Sequence, residues 1–323
     1  MTGDLRFSVV LQAQHTAEHT EAETLARAVA IATEAEALGF DCVWTTEHHF
    51  SGLHKTPSAL TMAAFLLGRT SRIGVGTAVT LLLLHSPVHV AEQVALLDVV
   101  SGGRFRFGAG RGSPTKAYAA IGPGRAYWEH GLPETLDRVL AALRGPVAGF
   151  QEAVISPRPT TRIPVSLAVG SDSTVDIAAA RGLSTQQFVR QDLATRAARI
   201  ERHRRLAPPG EYRHGCWVFT QVEDSQAAAE SVLRENLEHG HAYVRRHRRR
   251  PELLTSPVPE RLATVLANDP VGTPGRCVEQ FRRLAATGCT EALCQVEMSL
   301  DLDSSITNLR RLAAEVIPAY RRA

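Results

Sequence analysis

Residues 44–50 read WTTEHHF and set Glu47 beside two histidines, His48 and His49, where an apolar run (FDCVW) should leave the core. Imidazole titrates near neutral pH, so the pair suits proton exchange with a bound molecule. Two other readings stand beside that one. A histidine can simply be hydrogen-bonded at a helix start, and adjacent histidines at a strand end can bind a divalent cation. A metal centre needs more ligands than this spacing supplies. His85, after LLLL, and His15, after the first apolar run, are the near companions, and no metal is expected.

Two further stretches suit an anion. In GAGRGS (108–113) a glycine-rich strand end lets backbone amides approach a ligand, and Arg111 supplies a bidentate fork matched to phosphate. The stretch lacks the G-x-G-x-x-G order, and no acidic residue follows a second strand, so a dinucleotide-binding loop is rejected. In VGSDSTVDIAA (169–179) Ser171, Asp172, Ser173 or Thr174 can cap the helix that follows, and a helix N-terminus with free amides is a phosphate site. Capping alone explains these hydroxyls equally well.

Such residues need a scaffold that brings strand ends together. Apolar runs at 6–11, 41–45, 72–84, 103–109 and 163–169 read as strands, with weaker ones at 186–189, 216–221 and 292–296. Helical stretches alternate with them at 21–38, 58–69, 87–100, from 174 and at 303–320; Gly39 closes the first and Pro87 opens the third. The count approaches eight strand and helix pairs. A single (β/α)8 TIM barrel with insertion loops is therefore expected over residues 1–323, with a two-domain doubly wound sheet still open from the pattern alone. A barrel would place its chemistry where strands hand over to the next loop, and 44–50, 108–114 and 170–174 lie at such ends. Residues 145–162 read as an irregular excursion. Residues 240–272, which include RRHRRRP, read as an active-site lid or mobile loop.

Composition narrows the rest. The chain has 323 residues, 44% hydrophobic and 21% charged, enough for a large buried core. Its net charge of +3 comes from arginine balancing acids, with Lys55 and Lys116 the two lysines, and implies neither nucleic acid nor a membrane surface. Five cysteines without CxxC spacing fit a reduced cytoplasmic compartment. No apolar run approaches the roughly 20 residues of a spanning helix, and the first residues do not read as a secretion signal.

Five segments, in the same order, carry a resemblance: GFDCVWTTEHHF (39–50), VGTAV (75–79), HSPVHVAEQVALLDVVSGGRFRFGAGRG (85–112), IPVSLAVGSDSTVDIAAARGL (163–183) and NDPVGTPGRCVEQFRRLAATG (268–288). Together they resemble the luciferase-like flavin-dependent monooxygenases, the bacterial luciferase alpha subunit among them. The resemblance implies a (β/α)8 barrel that binds reduced FMN at the C-terminal ends of its strands. It makes Arg111 similar to the family's phosphate-binding arginine and Arg125 to a second one. Ser171 and Thr174, beside Gly170, stand where phosphate-binding hydroxyls stand. The peptide between Ala78 and Val79 resembles a non-proline cis bond beneath the isoalloxazine, and Gly110 occupies the place of a reactive cysteine. His48 lines up with an acid/base histidine near the flavin C4a position, with His49 and Glu47 beside it.

The implied reaction starts from reduced flavin and O2, forms a C4a-hydroperoxide, and oxygenates a small organic substrate behind a water-excluding lid. A separate flavin reductase and a homodimer are implied too. His85 and Ser86 precede Pro87 where the family has its histidine directly before the proline, so the substrate side is expected to differ. The arginine-rich, lysine-poor composition resembles high-GC actinobacterial proteins, which makes a secondary metabolite such as an aromatic polyketide the expected substrate. An F420-dependent oxidoreductase and a non-catalytic flavin-binding protein are the alternatives carried forward.

Overall fold

The structure, a computed structural model, describes residues 5–112, 117–122, 124–147, 149–247 and 256–322. In chain order it begins β1 (Arg6–Leu11), α1 (Glu21–Ala37), β2 (Cys42–Thr45), α2 (Ala59–Arg69), β3 (Gly74–Thr77), β4 (Thr80–Leu81), α3 (Pro87–Ser101) and β5 (Phe105–Gly110). Three helices follow, α4 (Ala117–Ala120), α5 (Arg125–His130) and α6 (Leu132–Arg144). Alternation then resumes with β6 (Val165–Val169), α7 (Asp172–Ala180), β7 (Ser184–Gln187), α8 (Leu193–Leu206), β8 (His214–Phe219), β9 (Gln221–Val222), α9 (Gln226–His247) and α10 (Val258–Asn268). The last elements are β10 (Val271–Gly272), α11 (Pro274–Ala286), β11 (Glu291–Gln295), α12 (Leu302–Arg311) and α13 (Ile317–Arg321).

Eight strands form one closed parallel ring in the order β3-β2-β1-β11-β8-β7-β6-β5, and β5 returns to β3 through Val75↔Phe105 and Gly76↔Arg106. That ring is a TIM barrel, which removes the doubly wound alternative. Closure brings backbones close: a Cβ on Gly108 would stand 1.8 Å from the Thr77 carbonyl oxygen, so this β5 position must be glycine. The strands read as continuous apolar runs because one face fills the barrel and the other packs under helices; Phe7, Val9, Val43, Val75, Phe105, Phe107 and Leu167 all belong to one core cluster.

Helix ends follow their local chemistry. Thr20 and Glu23 form a capping box on α1, with the Thr20 amide donating to Glu23 Oε2 at 2.7 Å. Pro87 sits in the first turn of α3, which ends at Gly102 with a φ of 63°. Several boundaries differ from the sequence reading. The run 72–84 yields only β3 before Ala78, then the two-residue β4 and a 3-10 turn. The strand expected at 186–189 is Ser184–Gln187, and Phe188 lies beyond the ladder, partly in solvent. The helix expected at 303–320 contains a π-turn at Leu312–Val316 just before Pro318, which has no amide hydrogen to give.

Residues 145–162 have no long element, and Asp98 anchors them: Oδ2 accepts from the Thr160 and Thr161 amides, and Thr161 Oγ1 donates to Oδ1 at 2.6 Å. Of the segment 240–272, residues 248–255 lie outside the described residues; the rest holds the end of α9, α10 and β10. Among the described residues no helix is long and apolar enough to cross a membrane, and all five cysteines are buried and free.

Candidate active site

A cavity of about 310 Å³ opens at the C-terminal ends of the barrel strands. Nine of the eleven residues singled out from the sequence line it: Glu47, His48, His49, Ala78, Val79, Arg111, Gly170, Ser171 and Thr174. They come from the loops after β2, β3, β5 and β6, which are distant in the chain and adjacent in the ring. The Ala78–Val79 peptide, where the resemblance places a cis bond, is cis.

The two remaining residues lie elsewhere. Gly110 is packed beneath Val79, and a Cβ there would come within 2.5 Å of Val79 Cγ2 and 3.2 Å of Ala168 Cβ. Arg125 does not line the cavity. It stands on the exposed helix α5, where Nε donates to Glu129 Oε1 at 3.0 Å, one turn along.

On the titratable side, Glu47 is the hub. Its Oε1 accepts from His49 Nε2 at 3.1 Å and from His85 Nε2 at 2.7 Å, while Oε2 accepts from the Ala59 amide at 3.4 Å. Burial alone would push the Glu47 carboxyl up, but the hydrogen bonds from His49 and His85 outweigh it and hold the pKa below the ordinary carboxylate value. The bond to Glu47 raises the His85 imidazole against the opposing effect of burial. His48 stacks on His54, with ring centroids 4.3 Å apart. His85 joins this group although it lies 38 residues from Glu47. The donor atoms of Glu47, His49 and His85 lie within 4.8 Å of one another, so a ligand count that falls short along the sequence is met in space. Both short contacts are hydrogen bonds to one carboxylate oxygen.

Arg111 and the start of α7 form the anion-suited side. The Arg111 guanidinium lies 4.4 Å over the Trp128 ring, and the Trp128 indole donates to the Gly112 carbonyl at 3.0 Å, so the arginine is stacked in place. Ser171 and Thr174 make a reciprocal cap in which Thr174 Oγ1 accepts from the Gly170 and Ser171 amides, each at 3.1 Å. Capping thus engages both hydroxyls, since Ser171 Oγ accepts in turn from the Thr174 amide at 3.4 Å, and Ser171 and Ser173 lie 2.9 Å apart through their hydroxyls at the first turn. Sequence reasoning missed Trp217, Phe188, Leu81 and Ala168 as cavity walls. Trp217 is held by its indole donating to Gln295 Oε1 at 3.1 Å. An apolar floor, a guanidinium beside a helix N-terminus, and an imidazole group fit a flat cofactor that carries a phosphate.

The profile of the family described as luciferase-like monooxygenase matches residues 5–291. The alkanal monooxygenase alpha chain of Photorhabdus luminescens is 26% identical, with 97% of each chain covered. The oxygenating constituent of 3,6-diketocamphane monooxygenase from Pseudomonas putida, solved in complex with FMN, superposes with a TM-score of 0.78 at 15% identity over 98% of both chains. An F420-dependent secondary alcohol dehydrogenase, solved with an F420-acetone adduct, also superposes at 0.78, with 17% identity over 98% of this chain and 99% of that one. At such identities the two structures share the fold alone.

Proposed function

We propose that this chain, which belongs to the luciferase-like monooxygenase family, oxygenates a small organic substrate with reduced FMN and O2, the reduced flavin coming from a separate reductase. The observation that carries this reading is a single cavity that presents Arg111 and the first turn of α7 together with Glu47, His48 and His49. The alkanal monooxygenase relative supports an oxygenase, and the FMN-bound neighbour shows that this fold can hold FMN.

In this reading Arg111, with Ser171 and the amides of the first turn, holds the phosphate, and the Ala78–Val79 peptide with Trp217 supports the ring. Bound reduced flavin supplies the two electrons that split O2 between product and water. The chain's own task is to supply protons and keep bulk water out. His48 handles the proton nearest the substrate. Glu47 orients His49 and His85 through their Nε2 atoms and, held ionised, gives a nearby imidazolium a counter-charge. The walls formed by Leu81, Val79, Phe188 and Trp217 favour an apolar or aromatic substrate, in keeping with a secondary metabolite. Residues 240–272 serve as the lid: the Tyr243 hydroxyl meets the Gly52 amide and, just before this segment, His239 Nε2 meets the His15 carbonyl at 3.1 Å, so α9 leans on the loop that follows the two histidines and on the loop after β1. A homodimer completes the reading.

Anaerobic titration with reduced FMN and with reduced F420, each followed by O2, tests it. Reduced FMN should bind and then reoxidise at a rate and with a spectrum distinct from free flavin, and His48→Ala should change that course. Preferential binding of F420 with oxygen-insensitive hydride transfer would establish the alternative cofactor. FMN binding with reoxidation at the free-flavin rate and no oxygenated product would point to a non-catalytic flavin protein.

A further inference from the structure

The N-terminal end of the barrel, opposite the cavity above, holds a larger one. It measures about 680 Å³ and lies where β6 and β7 begin and the chain enters β8, with the last turn of α6 at its edge. Its walls combine apolar side chains such as Leu140, Ile163 and Leu183 with Arg144, Arg162 and Arg213, against Glu211 as the single carboxylate. Volume and lining fall in the range of small-molecule sites.

The charges are uneven. Inside the barrel Arg106 lies 3.5 Å from Glu291, and at its mouth the exposed Arg6 lies 4.0 Å from Asp41, so each has a counter-charge. Arg213 has none within 4.0 Å among the described residues, and its Nη1 is buried without an acceptor. Burial, then the like charges of Arg106 and Arg6, lower its pKa, with Glu291 opposing only in part. Arg144 and Arg162 also lack an ion pair among the described residues and lie exposed at the rim. Arg213 lines the cavity with its Nη1 closed off from solvent, and with two more guanidiniums at the rim the charge there is under-compensated, so an anion held among the three would relieve it.

We propose that this cavity is a second, non-catalytic binding site for a small organic anion, a phosphate monoester or carboxylate on an apolar or planar body, with Arg213 as the deep contact and Arg144 and Arg162 at the rim. The apolar walls take the body of the ligand, and the guanidinium fork takes its head. The face is not one where barrel enzymes place their chemistry, so occupancy here is separable from turnover. The site does not depend on the cofactor reading above.

Isothermal titration with phenyl phosphate, benzoate and phenol, on the full chain with and without added FMN, provides the test. One equivalent of phenyl phosphate or benzoate should bind, phenol should not, and comparing the two anions tells phosphate from carboxylate. Arg213→Met should weaken binding about ten-fold or more, as expected for loss of charge-assisted hydrogen bonds. Because Arg213 adjoins the barrel core, the exposed pair Arg144→Met/Arg162→Met serves as a second variant and should weaken binding by a smaller factor without disturbing the fold. The Arg111→Met variant should bind both anions as the wild type does. Failure of both anions to bind, equal binding of phenol, competition by FMN, or indifference to the arginine substitutions at this face would each overturn the proposal.

Discussion

Substitution of Gly110 by alanine tests the packing beneath the candidate site most directly. Gly110 ends β5, and a Cβ added there would approach Val79 Cγ2 to 2.5 Å and Ala168 Cβ to 3.2 Å. The first distance is far inside contact, so Val79 must move, and Val79 belongs to the peptide that lines the cavity. Overpacking of this kind costs about 1–3 kcal/mol. Against it stands the reduced entropy of the unfolded chain on replacing glycine, about 0.4–1 kcal/mol in favour of folding. Overpacking wins, with a net loss of about 1–2 kcal/mol and a fall in Tm of about 1.5–3 °C for a domain of this size.

Val79→Ala alone should cost about 2 kcal/mol for two buried methyl groups. Combined with Gly110→Ala it removes the colliding Cγ2, so the double variant should be more stable than the sum of the singles by about 1–2 kcal/mol. Urea denaturation of the four proteins gives this coupling energy, and FMN titration should show weaker binding in Gly110→Ala that the second substitution partly restores. If Gly110→Ala unfolds within 0.5 kcal/mol of wild type, or if the two changes simply add, the close approach of β5 to Val79 is not as described.

Three further outcomes are expected. Arg111→Met should weaken FMN about 10- to 100-fold by removing charge-assisted contacts to phosphate, yet leave riboflavin affinity unchanged; parallel losses for both ligands would refute a phosphate role. Burial, then the nearby His203 and Arg204, push the His214 imidazole down to about 3, so His214 stays neutral in the fold and takes up its proton on unfolding. Its contribution is present above about 6.5 and lost as pH falls, by about 2 kcal/mol between pH 7 and 5, and urea unfolding of wild type against His214→Gln at both pH values should show that difference. His85 has the opposite sign. Its raised pKa stabilises the fold fully below about 6.5, and that contribution fades as pH rises through the folded pKa, so His85→Asn should be destabilised more at pH 6 than at pH 9. An equal deficit at both values would mean that His85 does not carry a proton toward Glu47.

Much of this arrangement is legible in the chain. Each strand end that carries chemistry has its own local signature: a β-rich run before Glu47, His48 and His49, glycines around Arg111, and a capping pattern at Ser171 and Thr174. These are local facts, set by backbone propensity and by which groups can satisfy a helix terminus. Alternating strands and helices then predict a ring that brings such ends together, and the ring forms.

What the chain alone could not decide is which loops meet across that ring. His85 after LLLL reads as a near companion of the two histidines, but its pairing with Glu47 is not marked locally, because the 2.7 Å contact depends on how the chain turns after β4. Trp217 and Phe188 read as ordinary strand residues, yet they become cavity walls through the position of β8 and β7 in the ring. Arg125 reads as one more cation for a phosphate, and its pairing with Glu129 one turn along is local, but only the placement of α5 leaves it outside the cavity lining. Periodicity reports the side of an element on which a residue lies, whereas ring closure fixes which distant sides face one another. The sequence by itself therefore determined the barrel and most of the groups at its C-terminal rim. Only the tertiary structure decided their partners, because those contacts are made across strand pairings that no local pattern encodes.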